Sequence, residues 1–279
     1  MKKKFVNAFL CLVLLGATSA SFSSCSKDDP EPEPTEEPVP DDNNNTGDKD
    51  DEGEPEDEAV VVDFPDATLK NLVKEELGLS EDQEITEEVL LTLEKLDAEG
   101  VVEVADLTGL EKASNLTKIN LGETSVTDLT PIAGLTKVEY LRVNDTQVAD
   151  LSPVKDYTTL TYFNANTATE ITDISPLAGN KDLQELILRE VPMGNDGLAV
   201  IANFTKLYRL NIRETGITDI TVLGNLMKAG ALLKTTVGAE EAGEDAEIDL
   251  KDNDIESFEP IAAFVANGTA VAVAGYPKD

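Results

Sequence analysis

Apolar residues recur along this chain at a nearly fixed spacing from residue 93 onward. Each recurrence is a triplet of apolar residues, with two positions between the first and second members and one between the second and third. The middle residues of successive triplets lie 23, 22, 22, 23 and 24 positions apart. Alternation over the second half of each triplet predicts one short β-strand per repeat. The six triplets are Leu93-Leu96-Ala98, Leu116-Ile119-Leu121, Val138-Leu141-Val143, Leu160-Phe163-Ala165, Leu183-Leu186-Leu188 and Leu207-Leu210-Ile212.

A series of aspartates keeps the same period, with intervals of 22, 22, 23, 23 and 23 residues. A period between about 20 and 29 residues with this leucine pattern is typical of a leucine-rich repeat solenoid. No single turn buries its own leucines, so neighbouring turns have to stack to form a core. The aspartates are Asp106, Asp128, Asp150, Asp173, Asp196 and Asp219.

The second half of three repeats begins with a hydroxyl residue and a proline. A serine or threonine side chain can cap a helix, and proline is tolerated at the first helical position, where its missing N–H costs nothing. We therefore predict that each repeat is a strand, a tight corner and a short helical or 3₁₀ turn capped by the hydroxyl. The three pairs are Thr130-Pro131, Ser152-Pro153 and Ser175-Pro176.

These segments read Asp-Leu-Thr-Pro-Ile, Asp-Leu-Ser-Pro-Val and Asp-Ile-Ser-Pro-Leu. They resemble the internalin-type leucine-rich repeats of bacterial surface proteins, and the resemblance covers roughly residues 61 to 275. The fold class that follows is α/β: a leucine-rich repeat solenoid with a parallel concave β-sheet and short helical or 3₁₀ turns on the convex side. Because such solenoids bind many things, the resemblance indicates a fold more strongly than a function.

The corner after each strand departs from that family, which often carries asparagine there. This chain has Thr124, Thr146, Val191 and Thr215 at the corner, and asparagine returns at Asn253. We therefore expect threonine hydroxyls to replace part of the asparagine ladder.

Both ends of the repeat array carry distinct segments. Residues 61–92 predict a helical N-terminal cap, in which Asp66 starts a helix that ends at Gly78 and Thr86 starts a second one. Residues 93–279 form the repeat domain, which closes with strands near Ile248 and Val273. A surplus of about 15 residues near 234–246 predicts an insertion, for which a tolerated edge loop is favoured over a binding loop.

The first 24 residues have the pattern of a secretory signal peptide. Lysines at positions 2–4 precede an apolar run over residues 5–17, which small residues follow. This run is too short for a membrane span, which needs about 20 apolar residues.

Phe22-Ser23-Ser24-Cys25 resembles the lipobox of bacterial lipoproteins, which implies lipidation of Cys25. The alternative is ordinary cleavage after Ala20, which leaves Cys25 as a free thiol. The following Ser26-Lys27-Asp28-Asp29 resembles the surface-export signal of Bacteroides-group lipoproteins. This resemblance implies a lipid-anchored protein of the outer membrane that is exposed at the cell surface.

Residues 25–60 combine the lipidated cysteine with a predicted disordered tether. Between residues 26 and 58 there are 16 acidic residues, six prolines and two lysines, a composition that cannot bury enough apolar surface to fold. Two stretches near residues 42–53 approach a calcium-loop pattern but lack its bidentate glutamate, so a solvated spacer is favoured over a calcium site.

Composition excludes several classes of function. The formal charge is −34, from 22 basic and 56 acidic residues, and a surface this negative repels nucleic acid. The chain has no histidine, which excludes imidazole catalysis and histidine-ligated metals. Since Cys11 is removed with the signal peptide, neither a disulfide nor a cysteine-ligated metal is expected. We expect no cofactor.

The outward-facing strand residues are the candidate binding site. The residues on either side of each central strand residue point away from the core and line the concave sheet. All four arginines of the chain fall in this set, together with two of its five tyrosines. The predicted contact residues are Lys118, Asn120, Tyr140, Arg142, Asn144, Tyr162, Asn164, Asn166, Arg189, Arg209, Asn211 and Arg213.

This set has two interpretations. Arginine, tyrosine and asparagine are typical of interfaces, which predicts a site for an acidic or hydroxyl-rich partner. Alternatively, the arginines pair with carboxylates such as Glu185, Glu190 and Glu214 and keep an exposed sheet soluble.

The function predicted from the sequence is that of a non-catalytic surface lipoprotein whose concave face binds a protein from a host or another bacterium. Glycan binding is the first alternative, because tyrosine rings stack on sugars. A glycoside hydrolase that uses paired carboxylates is the third and least favoured hypothesis. We expect a monomer that contacts the membrane through its lipid anchor only and does not bind nucleic acid.

Overall fold

The computed structural model describes residues 59–277. The predicted signal peptide, Cys25 and nearly all of the predicted tether lie outside the described residues. Within residues 59–277, no helix is long and apolar enough to cross a membrane.

A single parallel sheet of eight strands runs through the described part of the chain in strict sequence order. Each repeat contributes one three-residue strand, as the triplets predict, and the middle residues of successive strands pair in register. These middle residues are buried in the core, apart from the half-buried residue of the last strand. The strands are β1 (Lys95–Asp97), β2 (Lys118–Asn120), β3 (Tyr140–Arg142), β4 (Tyr162–Asn164), β5 (Glu185–Ile187), β6 (Arg209–Asn211), β7 (Glu247–Asp249) and β8 (Ala272–Ala274).

Short helices return the chain between strands. The early turns use 3₁₀ helices, and the later turns use longer α-helices whose apolar residues pack onto the same core. The 3₁₀ helices of the repeats are Leu110–Lys112, Thr130–Ile132, Ser152–Val154 and Ser175–Gly179, and the α-helices are α3 (Gly194–Ile201), α4 (Thr221–Lys228) and α6 (Glu259–Ala266).

The predicted hydroxyl caps of these helices are wrong. The cap residues are apolar and make no side-chain capping bond, and the hydroxyl residue already belongs to the helix. The repeating aspartate two positions earlier does the capping: Asp150 Oδ1 accepts the N–H of Ser152 at 2.7 Å, and its Oδ2 accepts the hydroxyl at 2.7 Å. These bonds, the hydroxyl first and then the N–H, hold the pKa of Asp150 below its usual value. A carboxylate has two acceptor oxygens, so Asp150 accepts the N–H on one oxygen and the hydroxyl on the other.

Two helices precede the sheet: α1 (Ala67–Leu77) and α2 (Glu87–Leu90). Asp66 caps α1 through Oδ1, which accepts two N–H groups of its first turn, and Gly78 ends the helix with φ of 66°. The Oδ2 atom of Asp66 also accepts the N–H groups of Ala105 and Asp106, at 2.9 and 3.3 Å. Burial raises the pKa of Asp66, but these four donors outweigh burial and lower it. One carboxylate thus joins the cap to the first turn of the solenoid.

The corner threonines replace asparagine mainly within their own turn. The Thr146 hydroxyl donates to the carbonyl of Val143 at 2.7 Å, and Thr124 and Thr215 make the same local bond. Asn253 also reaches the preceding turn, because its Nδ2 donates to the carbonyl of Ile212 at 2.8 Å. The ladder between turns is therefore present at Asn253, while the shorter threonine side chains satisfy their own corners.

The insertion contains α5 (Ala239–Ala242) and a 3₁₀ turn, Gly243–Asp245. It packs at the edge where strands β5 and β6 begin, since a Cβ on Gly238 would lie 2.6 Å from the ring of Tyr208. Two clefts of about 350 Å³ flank it, one lined by Lys234 and Val271 and the other by Lys206 and Val237. The insertion is therefore built into the edge of the solenoid beside the sheet.

Candidate functional site

The register of the sheet gathers the predicted contact residues into cross-strand rows. Residues at the first strand position form one row, and residues at the third position form a second. The remaining predicted residues, Asn144, Asn166, Arg189 and Arg213, follow the strands by two positions. The first row over β2–β6 is Lys118, Tyr140, Tyr162, Glu185 and Arg209, and the second is Asn120, Arg142, Asn164, Ile187 and Asn211.

An aromatic stack occupies the centre of the first row. The rings of Tyr140 and Tyr162 are 4.2 Å apart at their centroids and inclined by 9°, and Lys118 Nζ lies 4.6 Å from the Tyr140 ring centre on the β2 side. Both faces of the Tyr140 ring are therefore covered. Burial and then the neighbouring Tyr162 raise the pKa of the Tyr140 hydroxyl to about 12, so it stays protonated at neutral pH. We name Lys118, Tyr140 and Tyr162 the aromatic ladder.

The side chain of Arg142, on β3, reaches across β2 beside this ladder. Its Nη2 lies 2.9 Å from Glu99 Oε1, and its Nε donates to Asn144 Oδ1 at 3.0 Å. Gly122 leaves room for the Asn144 amide that holds Arg142, because a Cβ there would lie 2.6 Å from Asn144 Oδ1. Arg142 is thus held by a carboxylate and an amide.

The three other arginines are also paired with carboxylates. Arg209 Nη1 lies 3.1 Å from Glu185 Oε2 on the neighbouring strand, and Tyr208 donates its hydroxyl to the other oxygen of Glu185 at 2.7 Å. Arg189 and Arg213 bind the corner carboxylates Glu190 and Asp252, at 2.7 and 2.5 Å. Of the carboxylates named from the sequence, Glu185 and Glu190 pair with arginines, and Arg213 pairs with Asp252 instead of Glu214. The positive charge of the four arginines is therefore largely neutralised by carboxylates of the same chain.

Three of the predicted contact asparagines are almost completely buried by surrounding residues. Asn120, Asn144 and Asn164 are only 3%, 4% and 9% exposed. Asn120 donates to Asp97 Oδ1 at 2.8 Å, and Asn164 donates to the Tyr162 hydroxyl at 3.2 Å. These amides hold the exposed side chains in place and offer little surface of their own.

An acidic rim follows the strands, and the sequence reasoning missed it. Each rim residue directly precedes a corner residue of its turn. The rim residues have φ between 55° and 63°, and most are exposed. The left-handed conformation is unusual for residues other than glycine, asparagine and aspartate. The sequence signal was an acidic residue directly before nearly every corner residue. Thr167 is the exception at this position. The acidic rim is Glu123, Asp145, Glu190, Glu214 and Asp252.

Internalins are among the solved structures that share this architecture. An internalin (InlF) from Listeria monocytogenes superimposes with a TM-score of 0.61 at 28% identity, over 73% of this chain and 54% of the other. Internalin C2 from the same species has a TM-score of 0.60 at 28% identity, over 71% of this chain and 89% of the other. The described domain is a leucine-rich repeat solenoid. Its predicted fold class is confirmed.

The leucine-rich repeat domain thus spans about half of the InlF chain it matches. No known family profile matches the sequence, and neither does any curated protein. The likeness to internalins therefore rests on the solved structures and on the repeat sequence itself.

Two observations on residues 59–277 bear on the hydrolase hypothesis. Within residues 59–277, no group of three or more metal-binding side chains is present. The carboxyl groups whose pKa departs from its ordinary value all depart downward, whereas a general acid needs a raised pKa. These groups are Asp66, Asp128, Asp150 and Asp219.

Proposed function

We propose that this protein is a non-catalytic cell-surface lipoprotein whose concave face binds a protein partner, as an adhesion or interaction module. The aromatic ladder carries the proposal: two stacked, half-buried tyrosines lie on a sheet face, beside a lysine and a fixed arginine. Tyrosine and arginine anchors of this kind are enriched at the energetic centres of protein interfaces. The likeness to internalins supports an interaction module.

A protein partner suits this surface better than a glycan. Sugars stack on open ring faces, and three of the four faces of the two rings are already covered: both faces of Tyr140, by Lys118 and Tyr162, and the face of Tyr162 that stacks on Tyr140. The buried asparagines have bonded their amides to neighbouring side chains instead of offering them to sugar hydroxyls. Both tyrosines are only partly buried, and a partly exposed tyrosine offers a protein partner apolar ring surface together with a polar end.

Replacing both tyrosines of the ladder with serine is expected to weaken binding of the partner at least tenfold. The change removes the two largest apolar surfaces of the concave face and should cost roughly 1.5 to 3 kcal/mol of binding free energy. Screening the purified protein against arrays of host proteins, bacterial surface proteins and glycans identifies the partner, and calorimetry compares wild type with Tyr140→Ser/Tyr162→Ser.

Tyr276→Ser is the matched control. Tyr276 forms an edge-to-face pair with Phe258 at the last turn, 5.2 Å between ring centroids, so its loss also removes an aromatic contact but leaves β2–β4 intact. Binding that survives the double substitution on the concave face, or a partner captured from the glycan array alone, contradicts the proposed function.

The location at the outer membrane rests on the N-terminal sequence. Substituting Cys25 with alanine is expected to abolish incorporation of radiolabelled palmitate and to release the protein from the membrane fraction, because Cys25 supplies the site for several acyl chains. Protease treatment of intact cells then tests surface exposure. Unchanged fractionation of the Cys25→Ala variant would favour ordinary signal cleavage and a different means of attachment.

A further inference from the structure

The aromatic ladder has two ends, and within residues 59–277 only one of them is closed by a cation or a further ring. The ring centroids of Tyr140 and Tyr162 are separated by 4.2 Å, close to the spacing of about 4.8 Å between neighbouring strands, so the stack runs across the sheet. Lys118 closes the β2 end as a cation over the Tyr140 ring. The outer face of Tyr162 points toward β5, and among residues 59–277 neither a second ring nor a cation stacks on it.

The Glu185 side chain does not stack on Tyr162, because its carboxylate is bonded in the direction of β6. It is the register partner of Tyr162, yet both of its carboxylate oxygens are bound from β6, by the Tyr208 hydroxyl at 2.7 Å and by Arg209 at 3.1 Å. The Glu185 side chain is still 22% exposed. The open face of Tyr162 is therefore bordered by a carboxylate with remaining acceptor capacity.

The exposed acidic rim and the chain as a whole carry negative charge. Every arginine on the concave face is paired with a carboxylate, whereas Glu123, Asp145 and Glu214 of the acidic rim are exposed. The chain as a whole carries a formal charge of −34. Such a field attracts cationic groups and repels acidic ones, whereas the arginine content of the sequence favoured an acidic or hydroxyl-rich partner.

We propose that an arginine side chain of a basic protein partner stacks on the open face of Tyr162, completing the ladder with a cation at each end. A guanidinium fits better than an ammonium, because its plane stacks on the ring while its N–H groups reach the Glu185 carboxylate. The inference rests on the proposed function and names the chemistry of the partner surface.

A set of peptides tests the inference without knowledge of the natural partner. The probes are nine-residue peptides with arginine, lysine, citrulline or glutamate at every second position, titrated into the full chain at about 0.15 M salt to screen long-range attraction. Citrulline keeps the planar shape without the charge, and lysine keeps the charge without the plane. Ring signals of ¹³C-labelled tyrosines report the contact, and the spectrum of Tyr162→Phe assigns the Tyr162 signal.

The arginine peptide is expected to shift the Tyr162 ring signals and to bind Tyr162→Leu roughly three- to tenfold more weakly than wild type. Lysine should bind more weakly than arginine, and citrulline and glutamate should bind least. Tyr276→Leu, the control, should bind the arginine peptide like wild type. Equal affinity of wild type and Tyr162→Leu for the arginine peptide, or tighter binding of the citrulline or glutamate peptide, overturns the inference.

The two proposals fail separately. A natural partner that is lost in Tyr140→Ser/Tyr162→Ser but presents an acidic or apolar group to Tyr162 leaves the proposed function in place and overturns the arginine assignment. An arginine peptide that stacks on Tyr162 while no protein binds the concave face upholds the cation site and contradicts the proposed function.

Discussion

Replacing Phe163 with alanine is expected to lower the free energy of unfolding by about 4 kcal/mol. Phe163 is the middle residue of β4, is fully buried, and pairs in register with Leu141 and Leu186. The substitution leaves a large cavity between consecutive turns, because each turn of a solenoid packs only on its neighbours. Urea unfolding followed by far-UV circular dichroism measures the loss.

Phe163→Leu is the matched control and should cost about 1 to 1.5 kcal/mol, since it keeps most of the buried apolar volume. The alanine variant should also unfold less cooperatively, because the weakened turn divides the array into two halves. A loss below about 1 kcal/mol for the alanine variant would mean that the central turns do not share one core.

Replacing Asn253 with alanine is expected to cost about 3 kcal/mol, the second largest effect. The Asn253 amide donates to carbonyls of its own turn and of Ile212, and its oxygen accepts the N–H groups of Thr215 and Gly216 at 3.0 and 3.1 Å. Removing it leaves several backbone groups without partners, each of which costs about 1 kcal/mol or more when buried. Hydrogen exchange over residues 247–277 should become faster while exchange over β2–β4 stays unchanged.

Thr146→Val provides the comparison for Asn253. It removes one hydroxyl bond that stays within its own turn, so a loss of about 1 kcal/mol is expected, without faster exchange in the neighbouring turns. If the threonine and asparagine substitutions proved equally costly, the link that Asn253 makes between turns would contribute no additional stability.

The repeat pattern predicted the fold well because it is a local property of the sequence. The alternation around residues such as Leu141 and Leu186 marks the strand, and the period of 22 to 24 residues indicates how the strands stack. The predicted helix that starts after Asp66 and ends at Gly78 is present with those boundaries, because caps act within one turn of a helix. Both predictions depend on residues that are close together in the chain.

The candidate site was predicted less completely. The sequence placed Tyr140, Tyr162 and the arginines on one sheet face and left two interpretations open, a site for an acidic or hydroxyl-rich partner or arginines paired with carboxylates, without deciding which carboxylate meets each arginine. The pairing of Arg213 with Asp252 joins residues 39 positions apart, across the insertion. The burial of Asn120 likewise depends on side chains of the neighbouring turn.

The sequence by itself determined the number and register of the central strands, the inward residues of each turn and the strongly acidic character of this protein. These follow from spacing and composition, which the unfolded chain already possesses. Only the tertiary structure decided which carboxylate neutralises each arginine, that aspartates cap the convex turns, and that the tyrosine ladder stays open toward β5. Those outcomes depend on which side chains meet across turns about two dozen residues apart, and small differences in reach decide them.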